Sequence, residues 1–95
     1  PLAFDNAISM AAAKTKKINS PVAGQADILV MPNIESANMV GKEMSYFAGA
    51  QSAGVVLGAR VPIVLTSRAD DVKTRMASTA VMALVALANR SGKKV

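Results

Sequence analysis

Ninety-five residues, 52% apolar and 18% charged, make a chain with one small core to bury, not a disordered tail. The absence of Cys and His excludes disulfides, thiolate nucleophiles, Ser-His-Asp triads and zinc sites with nitrogen or sulfur ligands. A net charge of +5 serves either solubility or an anionic partner; with only Phe4, Tyr46 and Phe47 to stack on bases, nucleic acid is the weaker partner beside a phosphate-bearing metabolite.

Leu2 to Lys17 reads as a helix, with Phe4, Ile8, Ala11 and Ala12 on one face and Lys14, Lys16 and Lys17 near its C-terminus, where cations are favoured. Ser20-Pro21-Val22-Ala23-Gly24 is a loop by composition. Ala26 to Met31, a mainly aliphatic run between Gly24 and Pro32, reads as a buried strand. A second helix is expected over about Ala37 to Ala50, with Asn33 or Ser36 as its cap and Val40, Met44, Phe47 and Ala48 as its apolar face. Gly41 within it suggests a close backbone neighbour.

Gly54 to Gly58 and Val61 to Thr66 read as two further strands, close enough to form a hairpin. Ser67 opens the last helix, expected over about Arg68 to Asn89, and Ser67-Arg68-Ala69-Asp70 has the spacing of a capping box. From Thr79 onward this helix is apolar all round, which one small chain can hardly surround. Together with Pro1 as the first residue and a mean hydropathy of +0.32, this gives the expectation of a piece of a larger protein. Ser91-Gly92 closes the helix ahead of a frayed Lys93-Lys94-Val95 tail. The uncharged run from Met76 to Asn89 is shorter than the ~20 apolar residues of a membrane span.

The order α-β-α-β-β-α indicates an α/β layer structure, with the first two strands parallel and the sheet mixed if the last two pair as a hairpin. Two segments combine a strand end, polar residues and a helix N-terminus, where α/β proteins bind ligands: Pro32 to Asn38 and Thr66 to Asp71. In the second, Ser67 serves either as a cap or as a donor to an anion, and Asp70 and Asp71 either answer the helix dipole or act on a substrate. Arg68 is expected in the first helical turn, where it opposes the dipole and so points to an anion to hold. Asn38 is either an exposed first-turn residue or part of a site. The Ser20 to Gly24 loop has the composition of a phosphate cradle, and no more than the composition.

Four blocks in register carry a resemblance. They are Pro1-Leu2-Ala3-Phe4-Asp5-Asn6-Ala7, Ser20 to Gly24, Ala26-Asp27-Ile28-Leu29-Val30-Met31-Pro32-Asn33-Ile34-Glu35-Ser36-Ala37-Asn38, and Leu65-Thr66-Ser67-Arg68. In order and spacing the sequence resembles the phosphate acetyl/butyryltransferase family through nearly its whole length. In finer detail it looks closest to the acyltransferase part of bifunctional enoyl-CoA hydratase/phosphate acetyltransferase proteins.

The resemblance implies a cytoplasmic enzyme that moves a short acyl group between coenzyme A, as substrate, and inorganic phosphate, with no metal and no resident cofactor. It implies a three-layer fold like that of isocitrate and isopropylmalate dehydrogenases, with a mostly parallel sheet, helices on both faces and usually a dimer. The chain matches a C-terminal portion: about residues 1–60 end one domain and 61–95 return to the other, with no activity expected from this piece alone. Carried over residue by residue, Ser67 stabilises the transition state, Arg68 holds phosphate or the acyl phosphate, and the Pro32 to Asn38 block, with Asn33 and Asn38, is a loop at the cleft. Ser20 and Gly24 join the candidate phosphate and coenzyme A contacts. Many family members carry an aspartate base seven residues after the serine; here that position is Thr74, and either Asp70 replaces the base or this branch needs none. A different class of reading is a non-catalytic oligomerisation or binding module with a basic surface.

Overall fold

The computed structural model describes residues 3–92; the predicted helix start at Leu2 and the Lys93-Lys94-Val95 tail lie outside the described residues. The chain forms two compact units, residues 1–40 and 41–95, and the boundary falls inside one helix.

In the first unit the predicted N-terminal helix is two helices, α1 (Phe4–Ile8) and α2 (Met10–Thr15). Ser9 breaks it. Its extended backbone (φ −119°, ψ 110°) ends α1, and its hydroxyl accepts from the Ala12 N–H at 3.2 Å to cap α2. A serine binds local backbone as readily as it continues a helix, so one residue reorients the faces. The buried residues are therefore Asn6 and Ala13, while Phe4 and Ile8 of the expected face are exposed. Lys16 reaches back to the Asp5 carboxylate at 2.8 Å, an exposed ion pair of small energetic weight.

The following loop runs back along α1 through Gly24 N–H to Asn6 O (2.8 Å) and Ala26 N–H to Ala7 O (3.0 Å). Ala26 to Met31 forms no ladder among the described residues, and Ile28 and Val30 are 80% and 88% exposed. The predicted buried strand is thus unpaired here, because a strand exists only against a neighbour and no described residue supplies one.

Helix α3 (Ile34–Tyr46) begins three residues earlier than expected. The side-chain oxygen of Asn33 accepts from the N–H and hydroxyl of Ser36 at 2.8 and 2.7 Å, so Asn33, not Ser36, makes the cap. The helix stops at Tyr46, which leaves Phe47 beyond it and 88% exposed. A Cβ built on Gly41 meets nothing within 4 Å, so no close neighbour explains that glycine.

The second unit holds the expected hairpin: β1 (Val55–Val56) and β2 (Ile63–Val64) pair antiparallel, Val55 opposite Val64 and Val56 opposite Ile63. Helix α4 (Val72–Arg90) packs on it through Ser78 and Met82, both buried. Ser78 joins the two elements: its hydroxyl accepts from the Gly54 N–H at 2.9 Å and donates to the Thr74 carbonyl at 2.7 Å. Gly54 is required there, because a Cβ would collide with the Leu65 carbonyl oxygen. The opposite face of α4 is also apolar and stands open: Val72, Met76, Leu84 and Leu87 are each about two-thirds exposed. Among the described residues no helix is long and apolar enough to cross a membrane.

Candidate functional site

Ser67 does not begin α4. The helix starts at Val72, and Asp71 is its N-cap, accepting from the Thr74 N–H at 2.7 Å. Asp71 outcompetes Ser67 because Ser67 to Asp70 closes on itself as a separate turn. The Asp70 N–H donates to Ser67 O at 3.2 Å, and Asp70 Oδ2 accepts from the Ser67 N–H at 2.6 Å. The Ser67 hydroxyl oxygen accepts a long bond from the Ala69 N–H, 3.4 Å. Arg68 therefore sits at the corner of a turn ahead of the helix, and the expectation that it opposes the dipole from inside the first helical turn is corrected.

Arg75, which the sequence pattern did not single out, clamps this turn. Its Nε donates to Asp70 O at 3.1 Å and its Nη2 to Ser67 O at 3.2 Å, with a longer 3.5 Å contact to Arg68 O. No periodicity announces such a residue; only a planar, many-donor side chain one turn into the next helix hints at it. Arg75 thus holds the Ser67 backbone at its carbonyl, and Asp70 Oδ2 holds it at its N–H. The Ser67 hydroxyl proton and the Arg68 guanidinium have no partner among the described residues. Asp70 keeps Oδ1 uncommitted. A hydroxyl and a guanidinium are both groups that can donate to an oxyanion.

Thr74, the position at which the family resemblance leads one to look for an aspartate, lies in the first turn of α4 and serves the cap instead. The Thr74 backbone N–H, then its hydroxyl, hold the Asp71 carboxyl below the ordinary carboxylate range. Beside this end of α4 is a half-open cavity of about 260 Å³, lined among others by Ser45, Ser52, Asp71, Lys73 and Thr74 but not by Ser67 or Arg68.

The other candidates lie in the first unit. Ser20 is exposed, and its hydroxyl accepts from the Val22 N–H at 3.3 Å. Gly24, at φ +80°, turns its N–H inward to Asn6 O, and a Cβ there would come 2.7 Å from Met10 N; close packing, not an outward phosphate cradle, accounts for it. Asn33 commits its side-chain oxygen to the α3 cap. Asn38 is exposed on α3.

Comparison with known proteins completes the picture. A family model described as phosphate acetyl/butaryl transferase matches residues 1–83. The chain is 60% identical over 98% of its length to a phosphate acetyltransferase of Rhizobium meliloti and 62% identical over 82% to one of Rickettsia typhi. It is 48% identical over 95% to a phosphate butyryltransferase of Clostridium beijerinckii. These matches span 29%, 22% and 30% of the relatives' own lengths. Matched over most of its residues by the family model and at such identity by these relatives, the chain belongs to the phosphate acetyl/butaryl transferase family.

Proposed function

We propose that this chain contributes the Ser67–Arg68 turn to the active site of a longer acyltransferase that moves an acetyl or other short acyl group between coenzyme A and inorganic phosphate. The observation that carries the reading is the clamped turn, which presents a free hydroxyl donor and a free guanidinium side by side in a chain of this family.

A phosphate oxygen attacks the thioester carbonyl carbon, and negative charge grows on the carbonyl oxygen. The Ser67 hydroxyl donates to that oxygen, and the Arg68 guanidinium forks onto the phosphate and holds it for attack. The C–O bond forms as the C–S bond breaks, and the sulfur leaves with its electron pair and is then protonated. In the reverse direction the thiol must lose a proton, and Asp70 Oδ1 is the candidate base. The route is direct, with neither a covalent enzyme intermediate nor a metal or resident cofactor.

The same reading assigns the chain to a C-terminal portion of a cytoplasmic, dimeric enzyme with the three-layer, mostly parallel fold. About residues 1–60 end one domain and 61–95 return to the other. Ile28 and Val30, aliphatic and uncovered among the described residues, support it as strand residues awaiting neighbours. The open apolar face of α4 also favours a second reading, an oligomerisation module without catalysis.

The test is release of coenzyme A thiol from acetyl-CoA, dependent on phosphate, by the full-length polypeptide that carries this chain. Ser67→Ala should lower kcat by about a hundredfold with little change in KM, the signature of a donor that acts in the transition state. Phosphate-independent or absent turnover by the parent protein, or an unchanged kcat in the variant, contradicts the proposal.

A further inference from the structure

The far end of the second unit holds a half-open cavity of about 310 Å³ between the hairpin loop and the last turns of α4. Its lining combines the apolar Val56, Met82 and Val85 with Arg60 from the loop and Arg90 from the helix. No Asp or Glu lines it, and it shares no lining residue with the Ser67 to Asp70 turn. Neither guanidinium has an ion-pair partner among the described residues.

Arg90 is not needed to close its own helix. The Ser91 N–H takes the Leu87 carbonyl at 3.1 Å, the Ser91 hydroxyl the Ala88 carbonyl at 2.8 Å and the Gly92 N–H the Asn89 carbonyl at 3.2 Å. Those carbonyls are satisfied without the Arg90 guanidinium. Two uncompensated positive charges on one concave surface repel each other, and an anion between them removes that cost.

We propose that this cavity is a binding site for a phosphomonoester with a small apolar body. Two guanidinium forks match the three free oxygens and double charge of a phosphomonoester, whereas a single carboxylate occupies only one fork. The volume exceeds that of a bare phosphate, and the apolar side chains of the lining take the organic part. The site does not depend on the acyl-transfer reading.

The test is titration of the full-length polypeptide that carries this chain, at constant ionic strength, with phenyl phosphate, benzoate and inorganic phosphate, followed by amide NMR. Phenyl phosphate should saturably shift the Gly58, Arg60 and Arg90 signals, with binding weakened about tenfold or more by Arg60→Gln and by Arg90→Gln. Arg60→Lys should rescue Arg60→Gln only in part, because it restores the charge without the fork. Benzoate binding as tight as phenyl phosphate overturns the phosphate class. Inorganic phosphate binding as tight as phenyl phosphate overturns the role of the apolar lining. Absence of saturable shifts, or arginine variants that bind like the parent, overturns the site. Since Arg60 is exposed on a loop, Arg60→Gln should leave the remaining spectrum unchanged, which separates lost binding from lost fold.

Discussion

Arg75 Nη2 donates to the main-chain carbonyl of Ser67 at 3.2 Å, reaching eight residues back along the chain. Its Nε takes the Asp70 carbonyl at the same time, so one rigid fork ties the first turn of α4 to the turn that carries Ser67 and Arg68. Arg75 is thus a positioning residue for that pair.

Removal of the clamp should loosen the turn and leave the helix capped by Asp71. In Arg75→Gln, hydrogen exchange at the Ser67 and Asp70 amides should quicken by about fivefold or more, with the helical signal of α4 unchanged. Arg75→Lys, which keeps the charge but lacks the fork, should restore only part of the protection. Unaltered exchange in Arg75→Gln would mean that the three carbonyl contacts hold nothing.

Asp70 has two separable duties, and two substitutions tell them apart. Asp70→Asn keeps an oxygen for the Ser67 N–H but cannot take a proton; Asp70→Ala loses both. In the full-length polypeptide, a base role predicts that both variants slow acyl transfer from acyl phosphate to coenzyme A, most severely below neutral pH, where thiolate is scarce. If Asp70→Asn is as active as the parent and Asp70→Ala is not, Asp70 only shapes the turn.

Ser78 is wholly buried and bridges α4 to the hairpin. Ser78→Ala leaves the Gly54 N–H without its acceptor, at a cost of about 1–3 kcal/mol. Thermal unfolding should move to lower temperature and the hairpin amides should exchange faster. An unchanged midpoint would show that the bridge is dispensable.

Acid should weaken α4 from its N-terminus. The Asp71 carboxyl lies below its ordinary value because the Thr74 N–H and hydroxyl bond the charged form; Asp5 is lowered likewise, chiefly by its hydrogen bond from Lys16. A depressed carboxylate contributes stability that is complete above its unfolded value and lost as the pH falls through its lower folded value. Helical circular dichroism should therefore hold down to the ordinary carboxylate range and decline below it. Asp71→Asn, which can still cap but carries no charge, should flatten the part of the decline owed to α4. The same decline in Asp71→Asn would assign the acid sensitivity elsewhere.

The sequence was most legible where the chain decides locally. The sequence offers Asn33 or Ser36 as a cap, and the Asn33 oxygen makes it; the aliphatic runs flanking Ala59-Arg60 suggest a hairpin, and Val55 pairs with Val64. Ser67, Arg68 and Asp70 were singled out together and share one turn. Choices between near-equals were not legible. Ser67 and Asp71 are both favoured cap residues, and Asp71 caps α4 because Ser67 to Asp70 closes on itself as a separate turn, a choice invisible to spacing rules. Ser9 similarly divides a helix whose apolar period runs straight through it. The Ala26 to Met31 run has strand composition, but pairing is a property of two segments and cannot be read from one.

The central claim is that Arg68 holds phosphate beside the Ser67 hydroxyl. Initial rates of acetyl phosphate formation against phosphate concentration, measured for the full-length polypeptide and its Arg68→Ala variant, test it most directly. The account predicts that kcat/KM for phosphate falls by about two orders of magnitude or more, with the fall shared by weaker phosphate saturation and a slower maximal rate. Parent-like kinetics for phosphate in Arg68→Ala would contradict it.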